Sequence, residues 1–81
     1  MKEDEKKLSI FIGEKIKTTR DTLLMSQEEA AERAGVSAIH LGRLERGERS
    51  MKLYTFLKLG KVLPFYELTF TDSSTKTLTL E

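Results

Sequence analysis

Apolar side chains recur every three or four residues over most of the chain, and this spacing predicts four helices. The first is expected from Glu5 or Lys6 to Leu23. Its apolar stripe follows helical spacing and contains Leu8, Phe11, Ile12, Ile16, Thr19 and Leu23. Such a stripe is typical of an amphipathic helix that packs one face on a core.

Two short helices joined by a tight turn are predicted next. Ser26 and Glu29 have capping-box spacing, in which each side chain is expected to satisfy a backbone N–H of the other residue. Gly35 can adopt a left-handed turn without steric cost. Ser37 is then expected to cap a second helix that runs to about Arg46.

The second of these helices has two distinct faces. Leu41 and Leu44 lie three residues apart and are expected to face inward. The remaining positions are expected outside: Ala38, Ile39, His40, Gly42 and Arg43. A helix with a small, mixed outer face and arginines at its end suits insertion into a DNA major groove.

A fourth helix is expected over Leu53 to Val62, with Leu53, Phe56, Leu57, Leu59 and Val62 on its apolar face. After Pro64 the period changes from about 3.6 to two, which predicts strands. The alternating apolar residues are Tyr66, Leu68, Phe70, Leu78 and Leu80, on either side of the turn-forming residues 72–76. The prediction is therefore a mainly α domain over residues 1–63 and a C-terminal β-hairpin over 64–81.

The composition narrows the function. The chain has 81 residues, no cysteine and one histidine. Disulfides, thiolate metal sites and histidine clusters are therefore excluded, no cofactor is expected, and no credible catalytic set is present. The chain has neither a secretory signal nor an apolar run of the ~20 residues that span a membrane, so we expect a cytoplasmic protein.

Positive charge is concentrated in the middle of the chain. Residues 33–61 hold seven Lys or Arg against two Glu, a balance of +5, whereas the net charge of the whole chain is +1. The excess falls on and just after the predicted outer helix, where DNA phosphates would lie. An ordinary solvated surface is the alternative interpretation of this window.

With Gln27 as the first position of a twenty-residue motif, Ala31, Gly35, Leu41 and Leu44 fall at positions five, nine, fifteen and eighteen. Together with the run LERGER, this pattern resembles the Cro/CI-type helix-turn-helix regulators. The resemblance covers about residues 11–63 and implies a lambda-repressor-like four-helix fold that binds double-stranded DNA.

The resemblance also implies roles for individual residues. Ala38, Ile39 and Arg43 match base-reading positions, and the neighbouring Ser37 and His40 are counted with them. Gln27 and Arg46 match phosphate-binding positions, and the basic residues Arg49 and Lys52 that follow are expected to bind phosphate as well. Arg20 and Glu45 match a buried ion pair of the family. Three alternatives stay open: His40 as a plain exposed residue, Ile39 as a core residue, and Arg43 as a phosphate contact.

The chain departs from the family at several positions. Leu24 stands where glycine is common, and Ala30 stands where leucine is common, so the larger Leu24 is expected to compensate for the smaller Ala30. Met51 and Lys52 replace the usual Pro-Ser, which predicts a frayed or shifted start of the fourth helix. The strand pattern after Pro64 stands where a fifth helix is expected in the family, so this helix is predicted to be missing.

The leading prediction is a repressor that acts as a homodimer on a palindromic operator. The expected dimer interface is the apolar face of the hairpin: Tyr66, Leu68, Phe70, Leu78 and Leu80. Because C-terminal strands also occur in HipB-like antitoxins, the alternative is an antitoxin that binds a toxin kinase and regulates its own operon. The sequence offers no support for an enzyme.

Overall fold

In the computed structural model, the described residues are 2–65, 68–71 and 77–80. The four predicted helices are confirmed, with the bounds α1 Glu3–Thr22, α2 Gln27–Ala34, α3 Ala38–Glu45 and α4 Leu53–Val62. Helix α1 packs on α3, and α2 packs on both α3 and α4. Within the described part of the chain, none of the helices has the length and apolarity needed to cross a membrane.

Two short strands follow the helices, β1 Leu68–Thr71 and β2 Thr77–Leu80. They pair antiparallel, with Leu68 opposite Leu80 and Phe70 opposite Leu78. Tyr66, the predicted turn 72–76 and the strand side chains lie outside the described residues. The role of this segment in dimerisation therefore stays a prediction.

Helix α1 begins earlier than the sequence pattern predicts. Its first turn contains Glu3, Asp4 and Glu5, whose negative charges favour the positive end of the helix dipole. The helix ends at Thr22, and Leu24 then adopts φ 56°, in the left-handed region. The acidic first turn thus extends the helix beyond its apolar stripe.

Both ends of α2 are closed by local hydrogen bonds. The Ser26 hydroxyl accepts from the backbone N–H of Glu29 at 3.0 Å. The reciprocal half of the predicted capping box is wrong, because the Glu29 carboxylate pairs with Arg33 at 2.7 Å instead. Gly35 ends the helix with φ 72°, and its N–H donates to Glu32.

The core is small and contains many alanines. Its largest fully buried side chains are Ile16, Leu41, Leu44, Leu59 and Leu63, and α2 contributes Ala30, Ala31 and Ala34. The ring of Phe65 is buried edge-on against Phe56, with centroids 5.4 Å apart. The packed helical body therefore extends past the predicted domain boundary at residue 63.

The apolar stripes of α1 and α4 are covered only in part. Leu8 and Phe11 are each 58% exposed, Leu53 is 73% exposed, and Leu23 and Leu57 are also exposed. An eight-residue helix such as α3 is ~12 Å long, whereas the 20-residue α1 is ~30 Å long. Helix α3 is therefore too short to cover the whole apolar stripe of α1.

Leu24 does not fill the space left by Ala30. Its side chain is 91% exposed, whereas Ala30 is fully buried. The predicted compensation between these two residues is therefore wrong. Helix α4 starts at Leu53, as its apolar pattern predicts, and Lys52 at the N-cap position makes no capping side-chain hydrogen bond. The frayed or shifted start relative to the family stays a prediction.

Candidate nucleic-acid interface

Helix α3 presents one face to the core and another to solvent. The hydroxyl of Ser37 caps its start by accepting from the His40 N–H at 3.0 Å. Leu41 and Leu44 are buried as predicted, with relative exposures of 0% and 1%. Ile39 is 71% exposed, which excludes the alternative that it belongs to the core.

The exposed face of α3 is narrower than the sequence predicts. Ile39 and Arg43 are exposed and lie four residues apart, hence on one face of the helix. Ala38 and His40 are half-buried, and Ala38 packs against the core. The predicted outside position of Gly42 is wrong, because Gly42 is buried.

Gly42 lies beneath two of the predicted phosphate-binding side chains. A Cβ at this position would be 3.2 Å from Nη1 of Arg46 and 3.6 Å from Oε1 of Gln27. The absence of a side chain at Gly42 therefore lets Gln27, at the start of α2, and Arg46, at the end of α3, approach the same point on the surface.

Gly13 sets the distance between α1 and α3. A Cβ on Gly13 would lie 2.3 Å from the carbonyl oxygen of Leu44 and 2.6 Å from that of Glu45. Only glycine fits at such a close approach of two backbones. The last turn of α3 thus rests directly on the backbone of α1.

A buried ion pair joins α1 to the same end of α3. Nε of Arg20 donates to Oε2 of Glu45 at 2.7 Å, and Nη2 donates to Oε1 at 3.0 Å. The Glu45 side chain is only 3% exposed. Nη1 of Arg20 also donates to the carbonyl oxygen of Met25 at 2.9 Å, and the hydrogen bond with Glu45 raises the pKa of Arg20.

Gln27 takes part in this network. Its Nε2 donates to Oε1 of Glu45 at 2.9 Å, so Glu45 holds a residue of α1 and a residue of α2 at once. A glutamine amide has two N–H donors. The second N–H of Gln27 therefore remains for an acceptor such as a phosphate. The hydrogen bond to Glu45 fixes the direction in which this second N–H points.

The loop after α3 carries the other predicted phosphate-binding residues. Arg46, Arg49 and Lys52 are exposed. Nε of Arg46 donates to Oε2 of Glu48 at 2.5 Å. This hydrogen bond raises the pKa of Arg46 and lowers the pKa of Glu48.

Two further basic residues of the central segment make contacts with other groups of the protein. Arg33 pairs with Glu29, and Nζ of Lys58 donates to the carbonyl oxygen of Gly35 at 3.0 Å while lying 4.9 Å from the centre of the Tyr54 ring. Lys58 thereby ties α4 to the turn before α3. The sequence gives no local signal for this contact, because the two residues are 23 positions apart.

Residues 16–70 match the model of a family described as helix-turn-helix. The chain is also similar to a solved structure titled as that of the restriction-modification controller protein C.AhdI from Aeromonas hydrophila. The two are 30% identical, the TM-score is 0.67, and the match covers 69% of this chain and 85% of C.AhdI. No curated protein matches the chain.

The family match covers more than half of the chain and includes α2, the turn at Gly35 and α3. The structural match agrees with the lambda-repressor-like arrangement of the four helices. The chain belongs to the Cro/CI-type helix-turn-helix family.

Proposed function

We propose that this protein is a sequence-specific DNA-binding transcriptional regulator that acts as a homodimer on a palindromic operator and represses transcription. Helix α3 enters the major groove and reads bases through Ile39 and Arg43. Ser37, Ala38 and His40 lie beside them at the start of the helix. Gln27, Arg46, Arg49 and Lys52 bind the flanking phosphates.

The observation that carries this proposal is the exposed pair Ile39 and Arg43 on a helix whose end is firmly held. Ile39 is 71% exposed, an unusual environment for a β-branched apolar side chain. Apolar side chains contact the methyl group of thymine, and arginine pairs in bidentate fashion with guanine. These two residues therefore offer two different base contacts on one face of α3.

The buried network behind α3 supports the same assignment. Glu45 receives hydrogen bonds from Arg20 and Gln27, which belong to α1 and α2. A buried ion pair contributes little net stability. In this protein its role in the proposal is to hold the end of α3 against α1 and α2. A reading helix needs such fixed geometry, because base contacts depend on atomic positions within a few tenths of an ångström.

A dimer is proposed because one short helix makes too few base contacts. Helix α3 has eight residues, and single modules of this kind rely on a second half-site to reach useful specificity. Two α3 helices related by a two-fold axis would enter successive major grooves ~34 Å apart. The C-terminal segment is proposed as the dimerisation element.

Selection of bound sequences from random DNA, followed by light scattering of the complex, tests the proposal. We expect an enriched inverted repeat whose half-site centres lie one helical turn apart, bound by two chains per duplex. An enriched site without two-fold symmetry would contradict the dimer, and the absence of any enriched sequence would contradict sequence-specific binding.

The antitoxin alternative depends on the C-terminal segment and on a partner toxin. None of the described contacts favours a toxin partner over a second copy of this chain. It therefore stays a prediction from the sequence, and the regulator is the function proposed here.

A further inference from the structure

Glu48 is an exposed acidic residue in the loop that also carries Arg46 and Arg49, two of the proposed phosphate-binding residues. It accepts a hydrogen bond from Nε of Arg46, and the positive charges of Arg43 and Arg49 also contribute to the lowering of its pKa. All three arginines are proposed DNA contacts. The structure thus places one negative charge among the side chains that would meet the DNA.

The position of Glu48 is set by the backbone rather than by its side chain alone. Its N–H donates to the carbonyl oxygen of Arg43 at 3.0 Å, and the N–H of Gly47 donates to that of Leu44 at 3.1 Å. Gly47 adopts φ 72° and packs closely on Ile10 of α1. This helix-ending turn holds Glu48 against the end of α3.

We propose that Glu48 competes with DNA phosphate for Arg46. In the unbound protein the Glu48 carboxylate accepts the hydrogen bond from Arg46 and thereby lowers the affinity for every DNA sequence by the same factor. This inference rests on the proposed function. A phosphate oxygen and a carboxylate oxygen are both negatively charged acceptors of a guanidinium N–H. In this proposal, Nε of Arg46 exchanges the carboxylate for a phosphate oxygen when DNA binds.

The competition acts on affinity and leaves sequence preference unchanged. Phosphate contacts carry no sequence information, so a residue that competes with phosphate weakens operator and random DNA equally. Glu48 also stays negative near the DNA after the exchange, and its charge repels the backbone. Both effects decrease as salt screens the charges.

The test is a double-mutant cycle with Glu48→Gln, Arg46→Ala and the combined variant, titrated against the selected operator and a random duplex of equal length. Glutamine keeps the shape of the side chain and removes its charge. We expect Glu48→Gln to tighten binding to both duplexes by about two- to fivefold at low salt, the range of an exposed ion pair. The slope of the logarithm of the binding constant against the logarithm of the salt concentration should become steeper by up to about one, which corresponds to one further counterion released.

When Arg46 is already replaced by alanine, Glu48→Gln should increase the affinity for DNA clearly less, because the arginine for which Glu48 and phosphate compete is absent. Glu14→Gln, an exposed charge change on α1, is the matched control and should produce a smaller gain than Glu48→Gln. Equal gains with and without Arg46 would overturn the competition, and so would weaker binding by Glu48→Gln, which would show that Glu48 positions Arg46 for the phosphate. If the unmodified protein binds no DNA, the proposed function fails as well, whereas an unchanged affinity in a DNA-binding protein overturns only the role of Glu48.

Discussion

Replacing Gly13 with alanine is expected to separate α1 from α3. The new Cβ would lie 2.3 Å from the carbonyl oxygen of Leu44, whereas real Cβ contacts are essentially never shorter than 3.0 Å. The two helices would therefore have to move apart by at least about 0.7 Å, the difference between these distances. Both neighbours are backbone atoms, so a change of rotamer cannot relieve the contact.

The magnitude follows from two opposing effects. Overpacking of a close-packed interior costs about 1–3 kcal/mol, and a contact with two backbone carbonyls places Gly13→Ala at the upper end. Alanine has the better helix propensity by about 0.8–1 kcal/mol. The free energy of unfolding should fall by about 2 kcal/mol, which lowers the Tm of a domain of this size by about 8–16 °C.

Urea unfolding followed by circular dichroism measures this change, with Gly42→Ala as the matched control. Gly42 also lies inside a helix and gains the same propensity, but its Cβ would meet only the ends of the side chains of Arg46 and Gln27. We expect the control to be neutral or slightly stabilising. Equal stability of the two variants would refute the conclusion that the approach of α1 to α3 requires glycine.

Three further changes test the proposed DNA-binding site, the helical body that carries it and the proposed dimerisation segment. Arg43→Ala should weaken binding to the operator by ~1–3 kcal/mol more than binding to random DNA, and equal losses in a fluorescence titration would reassign Arg43 to phosphate. Leu24→Gly should raise the free energy of unfolding by about 0.5–1 kcal/mol, because glycine adopts the left-handed conformation without the cost of about 1–2 kcal/mol that an L-residue has there, and the exposed leucine side chain loses little burial. A lower free energy of unfolding would show that the Leu24 side chain makes a stabilising contact. Truncation after Phe65 should leave a helical monomer that binds the operator far more weakly, and a dimer of the truncated chain in light scattering would move the interface to the helices.

The four helices and their order could be predicted because local signals agree with one another. Ser26, Gly35 and Ser37 mark helix ends by short-range chemistry, and each acts as the sequence indicates. The burial of Leu41 and Leu44 follows from the helical period alone. These features depend on residues only a few positions apart, so the sequence carries them directly.

The features that could not be predicted depend on how the helices pack against one another. The exposure of Leu8 and Leu53 could not be predicted, because the apolar pattern of a helix does not say how much of it the neighbouring helices cover. The hydrogen bond from Gln27 to Glu45 joins residues 18 positions apart and depends on the angle between α2 and α3. The pairing of Arg46 with Glu48 is local, but two exposed charges two residues apart do not by themselves predict a contact.

The two residues that meet at Glu45 have a thermodynamic consequence. Glu45 is held by Arg20 from α1 and by Gln27 from α2, so the end of α3 is already ordered before any ligand arrives. A preorganised surface has little conformational entropy left to lose on association. The heat-capacity change of complex formation should then reflect only the apolar area removed from water at the interface, without the larger contribution that accompanies the folding of a helix on its target.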